Sequence, residues 1–447
     1  MKQAITVLGG GLAGCEAAFA IAEQGVPVVL REMKPDHYTP AHHEPLLAEL
    51  VCSNSLKARR IDSAAGLLKE EMRRMGSLCV PVADSCAVPA GGALAVDREA
   101  FAAGVTRRIE QHPLITVERG RVDTLPDEGI TVVATGPLTA EPLASAIREV
   151  CGGALSFYDA AAPIVEADSV DPERFFCASR YDHEESGAGD YINCPMNKEE
   201  YEAFHAALVS AQRAQLHEFD TPGDRKVYEG CMPIEILASR GLDAIRFGPM
   251  KPVGLRDPRT GHRPWAVLQL RRENAAGTLL NLVGFQTNLT FPEQKRVFGM
   301  IPALHDATFV RYGVMHRNTF IDSPRLLGAD YALKARPALF FAGQITGVEG
   351  YMESAMAGIL AGQNAVRRWR GEAPLVLPRT TMMGALTAYI SDGTVTQFQP
   401  MNINFGIMPP LDHRVKGKRN KNAELCQRSL AIIEQLEQEV LNYEDHH

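Results

Sequence analysis

The chain has 447 residues, 45% of them hydrophobic and 22% charged, the composition of a globular protein long enough for two cores rather than one. Its 46 basic and 54 acidic residues give a formal charge of −8, which argues against bulk nucleic-acid binding but leaves room for a local basic surface. No apolar run reaches the roughly 18 residues of a membrane span, the N-terminus lacks the zones of a secretory signal, and nine scattered cysteines with no CxxC pair argue against a disulfide framework or a zinc ribbon. A cytoplasmic protein with no metal site, no membrane association and no obligatory protein partner is expected.

In chain order, Ala4–Leu8 is a short apolar run of the buried parallel-strand type. Gly9-Gly10-Gly11-Leu12-Ala13-Gly14 follows as a turn, and Cys15–Gln24 is an alanine-rich helix stopped by Gly25. Val26–Leu30 is a second strand ending at Arg31-Glu32. The pattern Gly9-x-Gly11-x-x-Gly14 is weak alone, but here it leaves a strand and opens a helix. Gly9 then permits the tight turn, Gly11 lets backbone approach a pyrophosphate, and Gly14 allows close helix–strand packing. The helix N-terminus offers free N–H groups to that pyrophosphate, and Glu32 is placed to accept ribose hydroxyls. The competing reading is a glycine-rich turn with no ligand.

Further on, Ile130–Ala134 is an apolar strand running into Thr135-Gly136-Pro137. The middle of the chain is richer in charge and aromatics, with strand-like pieces at Trp265–Leu270 and Thr278–Val283. Ala338–Ala342 is another strand, running into Gly343-Gln344-Ile345-Thr346-Gly347 and then a small-residue helix near Ser354–Ala365. A second strand and glycine turn far from the first suits a long, extended cofactor, which favours FAD over NAD. The stretch from Ala423 to Tyr443 has helical periodicity. The expected fold class is α/β: an FAD-binding, Rossmann-like domain of the glutathione-reductase type built from residues 1–180 and 311–447, carrying a smaller inserted α/β domain at 181–310.

Two cysteines lie in contexts that suit a nucleophile. Cys52 sits in Val51-Cys52-Ser53-Asn54-Ser55, where Asn54 or Ser55 could cap a following helix, and a thiol just before a helix start is more readily a thiolate. Cys231 lies between Gly230 and Met232-Pro233, the mark of an irregular loop that displays its side chains. Each could equally be a buried, inert thiol. Cys194 is a weaker candidate, and Cys79 and Cys86 look structural.

Taken together, these segments resemble the folate- and FAD-dependent tRNA (uracil-5-)-methyltransferases, TrmFO, over nearly the whole chain. The resemblance rests on Gly9–Ala17, Ala48–Leu56, Tyr191–Met196, Gly230–Glu235, Arg246–Leu255, Val283–Thr287, Arg311–Thr319, Gly343–Tyr351 and Phe398–Phe405. The segment His42–Leu46 departs from the family pattern. The resemblance implies that methylenetetrahydrofolate donates a one-carbon unit through FAD to C5 of uridine 54 in the tRNA T-loop, with NADH or NADPH as reductant. It assigns the catalytic thiols to Cys52 and Cys231, with Cys231 favoured as the attacking group and the reverse order open. It also places Gly9, Gly10, Gly11, Leu12, Ala13, Gly14, Glu32, Thr135, Gly136, Gly343, Gln344, Glu349 and Tyr351 around the cofactor. His316, Arg317 and Asn318 could line the folate or uracil site. Lys251, Arg256 and the basic run Arg414, Lys416, Lys418, Arg419 and Lys421 could meet phosphates, or be ordinary solvated loops.

Three other readings compete. The related GidA or MnmG flavoproteins share the glycine motif but carry a large C-terminal helical domain. The same chemistry could act on ribosomal RNA. A flavin-binding RNA scaffold without catalysis would leave both thiols inert.

Overall fold

The computed structural model describes residues 3–39, 41–153, 155–160, 162–180, 191–214, 232–273, 276–313, 315–395 and 398–441. Its main sheet has six strands in the order Ala332–Leu333, Arg336–Phe341, Thr131–Val133, Ile5–Leu8, Val28–Glu32, Ile115–Arg119. All neighbours are parallel except the first pair. The first strand lies inside the sheet, with the second strand on one side and Thr131–Val133 on the other. The connections therefore leave it in opposite directions, and ligands of such sheets bind where the strand ends part. The strands are short and apolar because both faces are covered: Ile5, Val7, Val28, Leu30, Val132 and Val133 are all buried.

The helix Leu12–Glu23 starts three residues earlier than the sequence pattern suggests, with Gly11 as its N-cap. A Cβ at Gly14 would lie 1.7 Å from the Gly9 carbonyl oxygen, so only glycine lets the helix start this close to its strand. Against this helix lies Tyr351–Arg370, longer at both ends than its small-residue core. It stops at Gly371, at φ +84°, with Arg367, Arg368 and Arg370 in the last turn. The C-terminal helix spans Lys418–Leu441. Its Ser429 hydroxyl donates to Glu71, which also accepts the Met382 and Met383 amides at the start of the helix Met382–Ser391.

A second six-stranded sheet runs Phe176–Cys177, Ile192–Met196, Ala266–Arg272, Leu279–Leu282, Ile164–Glu166, Phe309–Arg311, antiparallel throughout. Its own core includes Tyr201, Phe204, Phe285 and Phe298. A two-stranded ribbon, Leu155–Ala160 with Met315–Phe320, pairs the segments that flank this sheet in sequence. Among the described residues no helix is long and apolar enough to cross a membrane.

Candidate functional site

An open cleft enclosing about 1180 Å³, continuous with solvent, lies where the main-sheet strands end, the usual place for a ligand on such a sheet. Its lining includes the glycine turn Gly9–Ala13, Glu32, Thr135-Gly136, Gly343-Gln344 and Tyr351. At Gly11 a Cβ would meet nothing within 4 Å. Backbone and the N-terminus of the Leu12–Glu23 helix therefore face open space there, as an approaching pyrophosphate requires. The Glu32 carboxylate accepts the Gly10 amide at 2.6 Å and the Lys34 amide at 2.9 Å, one on each oxygen. Each oxygen keeps a lone pair for a ribose hydroxyl. These features fit a bound dinucleotide, and both glycine turns, Gly9–Gly11 and Gly343, line the one cleft.

Two of the expected contacts lie behind the wall. Gly14 packs beneath the turn, and Glu349 accepts a hydrogen bond from Gln344 Nε2 at 2.9 Å, setting the orientation of that side chain. Other cleft residues went unanticipated. Lys34 is buried and bridges Glu49, at 3.2 Å, and the Leu46 carbonyl. His42 bonds Thr39 through Nδ1 at 2.6 Å, and burial followed by the nearby Lys34 holds its imidazole below the ordinary value. Only the spacing Thr39-x-x-His42 hinted at a turn.

Cys52 lies beside this cleft. Its neighbour Val51 lines the wall, as does Tyr351, whose hydroxyl accepts the Cys52 amide at 2.7 Å and the Ser53 amide at 3.1 Å. Burial, followed by the neighbouring Cys52, pushes the Tyr351 phenol above its usual value, so it stays protonated. Arg98 donates to the carbonyls of Leu50, at 2.5 Å, and Cys52, at 3.2 Å, while Arg311 donates to that of Val51. Arg98 also pairs with Glu273 at 2.6 Å. Burial works against its charge, and Glu273, Tyr351 and Cys52 offset that. Arg271 reaches from the second sheet to the side chains of Asn54, at 2.9 Å, and Ser53, at 2.8 Å. The loop is thus held by the first residues of two helices, Arg98–Glu110 and Tyr351–Arg370, and by two strands of the second sheet.

The expected helix after Cys52 is absent. Ser55–Ala58 is a strand paired with Ala93–Val96, and the next helix begins only at Ala64, capped by Ser63. Asn54 is buried and donates to the carbonyls of Val96 and Arg272 rather than capping anything. The electropositive setting of Cys52 therefore comes from Arg98 and Arg311, not from a helix end.

Cys231 lies outside the described residues, as do the side chains of His316, Arg317 and Asn318. Cys194 is fully buried and its thiol is pushed far up by desolvation. Cys79 is likewise buried, and burial raises the half-buried Cys86 to about 11. Lys251 is half-buried and Arg256 exposed. Arg414, Lys416, Lys418, Arg419 and Lys421 are exposed around the start of the last helix, where Arg419 meets Asp62 at 3.4 Å and Asp62 meets Arg60 at 3.1 Å.

A glycine turn at the parting of parallel strands, an acid at the next strand end and a second glycine turn define a Rossmann-type dinucleotide-binding protein. The profile of the family described as "Glucose inhibited division protein A" matches residues 4–373. A methylenetetrahydrofolate–tRNA-(uracil-5-)-methyltransferase TrmFO of Desulfitobacterium hafniense is 56% identical over 434 residues, 97% of this chain and 98% of that protein. The TrmFO of Moorella thermoacetica is 57% identical over 433 residues, 97% and 98% of the two chains. Among solved structures, Aquifex aeolicus GidA superposes with a TM-score of 0.68 at 16% identity, covering 99% of this chain and 77% of that one. The chain belongs to the GidA family and, within it, to the TrmFO methyltransferases.

Proposed function

We propose that this protein transfers the one-carbon unit of methylenetetrahydrofolate to C5 of uridine 54 in the tRNA T-loop, with FAD as its cofactor and NADH or NADPH as reductant. The carrying observation is the Cys52 loop, clamped by Tyr351, Arg98 and Arg311 beside the cleft lined by both glycine turns. That relatives matching nearly end to end are methylenetetrahydrofolate–tRNA-(uracil-5-)-methyltransferases supports the substrate pair.

In this reading the Gly9–Gly14 turn and the helix behind it hold the FAD pyrophosphate, Glu32 the ribose, and Thr135-Gly136 and Gly343-Gln344 the rest, with Glu349 steadying Gln344 and Tyr351 offering its ring for stacking. Bound FAD would supply the redox chemistry that converts a methylene to a methyl and would relay the carbon. The thiols supply what uracil lacks. C5 is a poor nucleophile until a soft nucleophile adds to C6, which a thiolate does and later reverses. Cys231 is assigned that attack and Cys52 the assisting role, in which it protects the incoming carbon or removes the C5 proton. Guanidinium groups beside Cys52 are the setting in which a thiol is reactive. Lys251, Arg256 and the basic run from Arg414 to Lys421 are assigned to phosphates. The FAD-binding unit is read as residues 1–180 with 311–447, interrupted by 181–310. The second sheet draws two strands, Ile164–Glu166 and Phe176–Cys177, from before residue 181.

The test combines a visible spectrum of the purified protein with methylation of unmodified tRNA and ribosomal RNA transcripts. A flavin spectrum, with 5-methyluridine formed on tRNA and lost in both Cys52→Ala and Cys231→Ala, is the expected result. Product on ribosomal RNA alone would overturn the substrate, and a protein that takes up no FAD would overturn the cofactor.

A further inference from the structure

The segment Arg240–Arg256 departs from the acidic character of the chain. It holds four basic residues, Arg240, Arg246, Lys251 and Arg256, against one acid, Asp243. It also exposes large apolar side chains: Phe247 is 71% accessible, the most exposed of the large hydrophobic residues described, with Leu242 at 44% and Val253 at 46%. Burying so large a ring gains energy and exposing it forfeits that gain, so a ring this open among cations marks a contact surface.

The Phe247 ring lies against an anchored arginine. The Arg246 guanidinium lies 3.9 Å from the Trp265 ring centroid and 5.4 Å from that of Phe247, within cation–π range of both rings. Arg246 is fixed by its Nε, which donates to the Trp265 carbonyl at 2.9 Å, and by Asp243 at 3.4 Å. Lys198 sits 5.7 Å from the same Trp265 ring. Two rings bridged by one guanidinium, with Phe247 exposed and Lys198 at the Trp265 ring, match the platform on which a nucleic-acid base stacks while phosphates meet the charges.

We infer that the Phe247–Arg246–Trp265 stack is a second RNA-docking point, separate from the reacting cleft. Its partner is a folded RNA carrying an unpaired base. Its place in the fold gives the spacing. Trp265 directly precedes the strand Ala266–Arg272, and Arg271 on that strand bonds the loop of Cys52. Six residues of extended chain separate the two, about 20 Å at the rise of a strand. The RNA would therefore be gripped at two places on one rigid strand, by the thiol loop at one end and the aromatic stack at the other. This inference rests on the proposed tRNA substrate and adds the residue that would position it.

The test measures binding of a tRNA transcript to the full-length protein, by fluorescence anisotropy across a salt series, and steady-state methylation. Phe247→Ala is expected to raise Kd and KM for tRNA about tenfold without changing the salt dependence, since stacking carries no counterion term. Phe247→Trp is expected to restore wild-type affinity, and Lys251→Ala to shallow the salt slope by about one. Melting temperatures identify any variant that has merely lost its fold. An unchanged Kd for Phe247→Ala in a protein that binds and methylates tRNA would overturn the docking point and leave the proposed function standing. A wild-type protein that binds no RNA would overturn both. A concentration-dependent dimer abolished by Phe247→Ala would assign the surface to a second copy of the chain and overturn the inference.

Discussion

Tyr351→Phe isolates one oxygen. The phenyl ring stays in the cleft wall, and the only loss is the acceptor for two amides, Cys52 N–H at 2.7 Å and Ser53 N–H at 3.1 Å. A buried donor left unpaired costs about 1–3 kcal/mol. Residues 52 and 53 are half-buried, so water recovers part of that cost and about 1 kcal/mol each is the fitting figure. About 2 kcal/mol against the ordered loop corresponds to roughly a 30-fold change in the equilibrium constant for ordering it, at 1.4 kcal/mol per decade, and to a smaller change in the population of a loop that starts mostly ordered. FAD content, read from the visible spectrum, is expected to stay near wild type because the ring remains. The rate of 5-methyluridine formation is expected to fall by about an order of magnitude, with KM for RNA moving less. The alkylation rate of Cys52, mapped by peptide mass spectrometry, is expected to change with it. A methylation rate within twofold of wild type and an unchanged alkylation rate would refute the idea that Tyr351 positions the thiol through its hydroxyl.

Three other variants probe the scaffold. Gly14→Ala would put a Cβ 1.7 Å from the Gly9 carbonyl oxygen. Relief by backbone shift should cost about 1–3 kcal/mol and open the turn, seen as a lower Tm and loss of bound flavin; full FAD content would contradict the packing described. Glu32→Gln can satisfy only one of the Gly10 and Lys34 amides and removes the charge. FAD affinity measured by flavin fluorescence should weaken about tenfold or more, and an unchanged Kd would show that Glu32 serves the turn alone. Glu71, pushed up to about 7 by burial against the hydrogen bonds from Ser429, Met383 and Met382, holds its proton in the folded protein over a range where the unfolded chain has released it. That contribution is present at low pH and is lost as pH rises from about 4.5 to about 7, by up to about 3 kcal/mol. Glu71→Gln does not titrate, so the stability difference between the two proteins should vary across that window in urea titrations; a difference constant with pH would rule out this titration. Glu16 and Glu235 are raised by burial too, and they cancel in the comparison.

What was legible in the sequence was local. The strand, glycine turn and helix at the N-terminus declare themselves because their function is set by backbone spacing within a few residues. Phe340-Phe341-Ala342-Gly343 did so for the same reason. The setting of Cys52 was illegible because its determinants are distant. Its neighbours suggest a helix cap at Asn54 or Ser55, whereas the Asn54 amide is taken by Val96 and by Arg272, 218 residues away. Arg98, Arg271, Glu273 and Arg311 carry no motif and converge only where the start of the Arg98–Glu110 helix meets the second sheet. The helix Tyr351–Arg370 was read short because its ends are polar, and its N-terminus is fixed by Gly350 at φ +123°.

The most direct measurement of the central claim is to follow a label. The protein would be incubated with methylenetetrahydrofolate carrying ¹³C in its methylene, NADPH and an unmodified tRNA transcript, and the digested nucleosides analysed by mass spectrometry. The expected result is 5-methyluridine heavier by one unit, mapped to the T-loop and absent when Cys52 or Cys231 is alanine. Unlabelled or absent 5-methyluridine from a flavin-loaded protein would contradict the claim that this cleft and its thiols pass a folate carbon to uridine.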